Sequence, residues 1–171
     1  MSIRLVIPTN ADKERAIEFK QEFFDNGEFT INGSEMLDNT EDYEAWITSV
    51  ENNASINTVN PEWVITDTFF AVDENDRIVG IIDFRHELNE FLKDFGHSGY
   101  SVRPSERRKG YATEMLSLLK GVAKSSGLKA LQLSVERTNE PSIKTIVKNG
   151  GKYQRSFTFQ GEEADVYLVN L

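Results

Sequence analysis

Three observations on the 171-residue chain predict an α/β domain built on a mixed, mostly antiparallel sheet. The periodic segments read β-α-α-β-β-β-α-β-α-β-β: early helices, a meander, a β-α-β unit and a terminal strand pair. The apolar runs are short and bounded by Gly, Pro and Asn-Asp signals, as sheet strands are. No repeat, low-complexity tract or Pro/Gly/Ser-rich linker divides them, so one domain over residues 1–171 is expected.

Residues 3–7 are apolar and β-branched and stop at Pro8, which predicts an edge strand. Asn10 is the expected N-cap of a helix reaching about Asp25, with Ala16, Phe19, Phe23 and Phe24 on one face. Gly27 and Gly33 mark a loop. A second helix is expected from about Thr40 to Val50, carrying Tyr43, Trp46 and Ile47, and the polar stretch after it reads as irregular. Residues 64–72 and 77–86 read as strands joined through Asn75-Asp76 into a hairpin. After a connection over 87–96, residues 99–103 form a strand and 109–125 an amphipathic helix, with Met115, Leu116, Leu119 and Val122 at helical spacing and Gly127 as its stop. Residues 130–135 are a strand and 139–148 a short helix ended by Gly150-Gly151. Strands near 152–160 and 163–169 close the chain, and the β-α-β crossover is expected to be right-handed.

Composition narrows the function. Hydrophobic residues make up 39% of the chain and Phe occurs 11 times, a globular composition. With no Cys, disulfides, thiolate nucleophiles and Cys-ligated zinc are excluded, and a reducing, cytoplasmic setting is expected. Two His without Cys make a poor zinc site, so no metal is expected. No apolar run approaches the roughly 20 residues that span a bilayer, and the N-terminus lacks a signal-peptide pattern. The net charge of -9 repels nucleic acid and anionic membrane, so neither is an expected partner. It serves solubility or draws in a cationic amine.

One segment runs against that acidity. In Tyr100-Ser101-Val102-Arg103-Pro104-Ser105-Glu106-Arg107-Arg108-Lys109-Gly110-Tyr111-Ala112-Thr113 a strand enters a polar loop that opens directly into a helix. The first amides of a helix lack partners and sit at the positive end of its dipole, which makes an anion site. Gly110 lets backbone approach a phosphate, Ala112 is small for the same reason, and Arg107, Arg108 and Lys109 add charge. The segment is neither a P-loop nor a dinucleotide fingerprint, because the glycines those motifs need are absent.

Arg107-Arg108-Lys109-Gly110-Tyr111-Ala112 resembles the Arg/Gln-x-x-Gly-x-Gly/Ala pattern of the GNAT superfamily of acetyltransferases. Tyr100 to Pro104 resembles that superfamily's fourth strand, and the order of elements is similar over nearly the whole chain. The resemblance implies a GNAT fold of about seven strands, with helices on both faces and the fourth and fifth strands splayed apart. It implies acetyl-CoA as co-substrate, its pyrophosphate on the amides from Arg107 to Ala112 with Thr113 adding a hydroxyl, its pantetheine along Val102, and its thioester in the gap. The acceptor would be a primary amine on a small molecule or a protein, attacking directly in a ternary complex; a homodimer stays open.

Asn139-Glu140-Pro141-Ser142 follows a strand and opens a helix. Asn139 suits an N-cap and Pro141 the first turn, while the resemblance also puts Asn139 and Ser142 beside the cofactor. Two departures stand out. Many family members carry a Tyr seven residues after that Asn to protonate the leaving thiolate, and here the residue is Ile146. Gly151 stands where an aromatic is usual. Either the acid comes from elsewhere or none is needed, since a thiol with a pKa of about 8.5 leaves tolerably as thiolate.

Val102 or Arg103 is expected to give an oxyanion-binding amide. The general base is not marked by any motif. Glu87 and His97 are the candidates, with Glu136 behind them. Strict alternation sets His97 and Val102 on opposite faces unless a bulge intervenes. Arg85, His86, Glu87 and Asn89 cluster at a strand end, which suggests a substrate pocket or a solvated loop. Phe69, Phe70, Phe84, Phe91 and Phe95 read as core or pocket wall. A rival expectation from another class is an acyl-CoA-binding sensor that kept the cofactor site and lost catalysis.

Overall fold

A computed structural model describes residues 2–171, and each expected strand and helix forms with its ends adjusted. β1 (Arg4–Val6), β2 (Thr66–Val72), β3 (Ile78–Arg85) and β4 (Tyr100–Val102) make one antiparallel sheet in chain order, with β1 at its edge. β5 (Ala130–Glu136), β6 (Lys152–Phe159) and β7 (Glu162–Asn170) make a second antiparallel sheet in the order β5-β7-β6. The helices are α1 (Lys13–Asp25), α2 (Tyr43–Asn53), α3 (Tyr111–Ser125) and α4 (Glu140–Lys148).

Alternation along the strands decides which helices cover which face. Phe70, Val72 and Ile81 pack with Ala16, Phe19 and Phe23 of α1 and Trp46, Ile47 and Val50 of α2. Ala71, Val79, Ile82 and Phe84 turn the other way, onto Met115, Leu116, Leu119 and Ala123 of α3 and Ile146 of α4. Helices therefore lie on both faces.

Local hydrogen bonding moved several ends. Asn10 does not cap α1. Residues Asn10–Asp12 form a 3-10 turn, the Thr9 amide donates to Asp12 Oδ2 at 2.9 Å, and Asp12 is the N-cap of α1. Phe24 is only half-buried and packs on exposed Phe29. The second helix starts at Tyr43 rather than Thr40 because Asp42 accepts the Ala45 amide at 3.1 Å. β2 starts at Thr66, whose hydroxyl donates to the Val64 carbonyl at 2.9 Å.

The position of the site comes from a break between β4 and β5. They share no ladder and meet where Gly96 bridges Leu133. There the His97 amide donates to the Gln132 carbonyl at 2.8 Å, and the Gln132 amide donates to His97 Nδ1 at 2.9 Å. An imidazole nitrogen thus stands where a strand would offer a carbonyl. The ladder ends on it and the strands part, leaving the β4-α3-β5 connection to join two sheets.

Candidate active site

The loop before α3 is shaped by two residues in the left-handed region, Arg108 (φ 63°) and Gly110 (φ 88°). Left-handed residues alternating with right-handed ones turn successive amides into a concave anion nest. Gly110 is the N-cap of α3 and no side chain caps it. The first intrahelical bond runs from the Glu114 amide to the Gly110 carbonyl at 3.1 Å. Among the described residues the amides from Arg108 to Thr113 have no hydrogen-bond partner. A buried helix start would not leave them bare; here Arg107 to Gly110 are exposed, so an anionic ligand can reach them.

The cations are less available than their sequence suggests. Arg107 makes two hydrogen bonds to Glu28, at 2.7 and 2.9 Å, and its Nε donates to the Val102 carbonyl at 3.0 Å. The guanidinium holds the Glu28 carboxyl below its ordinary range. Lys109 pairs with Glu106 at 2.9 Å. Arg108 alone of the three has no acidic partner among the described residues. The amides therefore supply most of the anion site, and the cations flank it.

Val102 and Tyr100 border the gap. The backbone bonds between β3 and the β4 segment fall on the odd residues: the Asp83 amide donates to the Gly99 carbonyl, the Arg85 amide to the His97 carbonyl and the Arg103 amide to the Val79 carbonyl. The amides of Tyr100 and Val102 consequently face away from β3, toward the opening beside β5. On the far side Asn139 caps α4, its Oδ1 accepting the Ser142 amide at 3.3 Å. The Tyr100 hydroxyl and Ser142 Oγ lie 2.7 Å apart and bridge β4 to α4. Burial pushes the Tyr100 phenol above its usual pKa, against the Ser142 hydrogen bond, so it stays protonated at neutral pH. Ile146, one turn beyond Ser142, is buried under the side of Gly151.

Several expected site residues are engaged elsewhere. The Arg103 amide donates to the Val79 carbonyl at 2.8 Å, which removes it as an oxyanion donor. Its buried guanidinium binds Glu22 at 2.9 Å, Glu18 at 2.7 Å and the Ile78 carbonyl at 3.1 Å, so it pins α1 to the sheet rather than facing the gap. His86 bonds Asp67 at 2.7 Å and stacks on Phe84. Arg85 binds the Gly96 carbonyl at 2.9 Å and approaches Asp83 at 3.3 Å. Glu87 is exposed and makes no hydrogen bond or ion pair among the described residues, and exposed Glu136 likewise makes none through its side chain. The structure does not bring Glu87 and His97 together.

His97 fits a proton-accepting role poorly. Its register with Arg85 is regular, Nδ1 is occupied by the Gln132 amide, and burial pushes its pKa down to about 4. Because the folded value lies below the ordinary one, the unfolded chain binds the proton first. Stability is expected to fall as pH drops from about 6.5 toward 4. His97→Asn, whose Oδ1 can still accept the Gln132 amide, removes this ionisation. Thermal melts across that range check it: the variant's acid sensitivity should be the smaller, and equal slopes would contradict the assignment.

Sequence reasoning missed the Tyr100 hydroxyl and two carboxyls, half-buried Glu35 and buried Asp83. Glu35, in the loop between α1 and α2, hydrogen-bonds Asp83 on β3. The spacing of neither residue carries a signal, because the contact joins segments far apart in the chain. Among the described residues no group of three or more His, Cys, Asp or Glu side chains is placed to hold a metal ion, and no helix is long and apolar enough to cross a membrane.

A family model for the acetyltransferase (GNAT) domain matches residues 3–152. No curated protein matches. Solved structures do. The ribosomal L7/L12 α-N-protein acetyltransferase RimL, in complex with coenzyme A, has a TM-score of 0.71 at 12% identity, with 100% of this chain and 95% of that one covered. The ribosomal-protein-S5-alanine acetyltransferase of Vibrio fischeri has a TM-score of 0.71 at 17% identity, covering 98% of this chain and 91% of that one. A protein of Salmonella typhimurium solved with its cofactor acetyl-CoA has a TM-score of 0.68 at 16% identity, covering 100% and 95%. At these identities the structures establish a shared fold.

Proposed function

This chain belongs to the GNAT family of acetyltransferases, and from that premise we propose that it transfers the acetyl group of acetyl-CoA to a primary amine by direct attack. The single observation that carries the reading is the row of unpartnered amides from Arg108 to Thr113 at the start of α3, opening beside the β4–β5 gap. An exposed helix start with an αL glycine fits a diphosphate.

In this reading the diphosphate lies on those amides and Arg108 adds its charge. Arg107, Lys109 and Thr113 flank it. The amides of Val102 and Tyr100 hold the pantetheine arm as a strand partner would, and one of them binds the developing oxyanion. Asn139 orients the start of α4 beside it. Acetyl-CoA supplies the acyl group as a thioester. The chain's contribution is to set the amine within about 3.5 Å of the carbonyl and to move protons. As the C–N bond forms and the C–S bond breaks, the Tyr100 hydroxyl gives its proton to the departing sulfur and Ser142 holds the phenol in place. This hydroxyl enters the gap from β4, where Ile146 leaves α4 without an acid.

The acceptor is a small amine or the amine of a protein. The acidic surface favours a cationic acceptor, and two proteins of the same fold are named for ribosomal-protein acetylation. We place the reaction in the cytoplasm, consistent with a Cys-free chain.

Release of CoA thiol in the presence of a panel of polyamines, lysine peptides and N-terminal peptides tests the reading. Turnover on at least one is expected. Tight acetyl-CoA binding with no turnover on any would favour the sensor. On the best amine, Tyr100→Phe is expected to lower kcat about tenfold, less than the roughly 100-fold or more usual for a general acid, because thiolate is a fair leaving group. KM for acetyl-CoA should stay within about twofold; an unchanged kcat would remove Tyr100 from the mechanism.

A further inference from the structure

The loop carrying Glu35 is held in an unfavourable shape. Glu35 (φ 51°) and Met36 (φ 73°) are both left-handed, a strained conformation that a non-glycine residue keeps only where its surroundings impose it. The surroundings do so. Trp46 Nε1 donates to the carbonyls of Ser34 at 2.9 Å and Glu35 at 3.0 Å. Ser101 Oγ donates to the Asn32 carbonyl at 2.9 Å. Gly33, also left-handed at φ 77°, lies so close to the residue before β4 that a Cβ there would collide with the Gly99 carbonyl. The loop is thereby pressed on the start of β4, next to Tyr100.

What this delivers is one carboxyl to another. Glu35 hydrogen-bonds Asp83, a residue only 1% exposed. Asp83 Oδ1 accepts the Gly99 amide at 2.6 Å, and Asn53 Nδ2 reaches Glu35 Oε2 at 3.4 Å. Burial, then the Asp83 charge, push the Glu35 carboxyl up to about 8, with Arg85 and Asn53 pulling the other way. Two side chains beside the pair have bonding capacity unspent. Thr68 stands directly across from Asp83 on β2, is 3% exposed, and its Oγ1 has no partner. Arg85 Nε is buried and also unpartnered. Buried polar groups in folded proteins are nearly always satisfied, so a polar site left open at the end of a strained loop is suited to a polar ligand.

We propose that the Glu35 carboxylate, backed by Asp83, takes the proton from the acceptor's ammonium group. The inference rests on the acetyltransferase reading above. The ammonium N–H bond breaks, its proton goes to a Glu35 oxygen, and the freed lone pair forms the C–N bond as the C–S bond breaks; the nitrogen sheds its second proton as the amide forms, and that proton replaces the one Tyr100 gives to the departing sulfur. Glu35 then returns its proton to solvent, and Asp83 acts as a positioning residue. The groups that face Glu35 are Asp83 and Arg85 from β3 and Asn53 and the Trp46 indole from α2, with Thr68 of β2 and the Gly99 amide on Asp83 behind them. Among them Asp83 is the one whose negative charge holds the proton on.

A base must be deprotonated to act, so kcat is expected to be low in acid and to rise through pH 8. The experiment is a pH profile of kcat for wild type, Glu35→Gln and Asp83→Asn with two amines of different basicity. The limb near pH 8 should be the same for both amines, since it belongs to the enzyme. Glu35→Gln, which keeps the shape and the hydrogen bond to Asp83, should lose about 100-fold in kcat and lose the limb, with acetyl-CoA affinity unchanged. Asp83→Asn, still able to accept the Gly99 amide, should move the limb to lower pH. A Glu35→Gln enzyme with wild-type kcat and profile would overturn the proposal while leaving the acetyltransferase reading intact. So would a limb that follows the amine, or an Asp83→Asn limb that stays put. A wild-type protein that turns over no amine would sink both.

Discussion

Gly110→Glu is expected to weaken acetyl-CoA binding by about 100-fold or more, equivalent to roughly 3 kcal/mol. Two effects add. Gly110 holds φ 88°, a conformation that costs a residue with a Cβ about 1–2 kcal/mol. The new carboxylate also stands at the helix start, where the bare amides from Arg108 to Thr113 would otherwise meet a diphosphate; a side-chain anion there competes for those amides and repels the ligand. Gly110→Ala carries the backbone strain alone and should lose about tenfold or less. The position is exposed, so both variants should fold. Calorimetric titration with CoA, alongside circular dichroism, checks this. Wild-type affinity in a folded Gly110→Glu protein would move the cofactor away from α3.

Arg103→Ala is expected to cost about 3 kcal/mol of folding stability, the lower end for breaking a buried ion pair. The side chain is only 4% exposed and holds Glu18 and Glu22 of α1 together with the Ile78 carbonyl. Glu22 also accepts the amide and hydroxyl of Ser105, at 2.8 and 3.0 Å. Truncation therefore orphans a carbonyl and loosens α1 from the turn leading into the phosphate loop. The estimate sits low because Glu18 is 65% exposed and can turn to water. Burial raises the Glu22 carboxyl, yet its bonds to Ser105 and Arg103 outweigh that and hold it below the ordinary value. A carboxyl depressed in the fold contributes stability above its unfolded pKa and loses it as pH falls through the folded one. Urea unfolding of the variant should show both the lower stability and a weaker acid dependence. A loss under about 1 kcal/mol, or a CoA affinity that drops while stability holds, would show that Arg103 serves the ligand instead.

The elements were legible because they are written locally. The α3 face repeats Met115, Leu116 and Leu119 at helical spacing, all of them buried, and Gly127 follows as its stop. Ends were less legible because caps compete over two or three residues. Asp12 and Asp42 took the helix starts from Asn10 and Thr40 through bonds to residues three positions away. The anion loop was readable for a related reason: strand, glycine and helix start are adjacent in the chain, so the open amides follow from sequence order. The charges around it were not, since Glu28 and Glu106 claim Arg107 and Lys109 only after folding.

Proton chemistry lies at the other extreme. Glu35 meets Asp83, and Tyr100 meets Ser142, across long loops of chain, and no periodicity or spacing encodes such meetings. His97 looked like a titrating group, yet the fold buries it as the acceptor that ends the ladder between β4 and β5. By itself the sequence determined the element order, the family resemblance and the bare amides at α3, since each depends on residues within a few positions of one another. The tertiary structure decided which ionisable groups are buried, which cations are already paired and which hydroxyl bridges β4 to α4. Desolvation and ion pairing depend on what is packed alongside, and packing is a property of the whole fold.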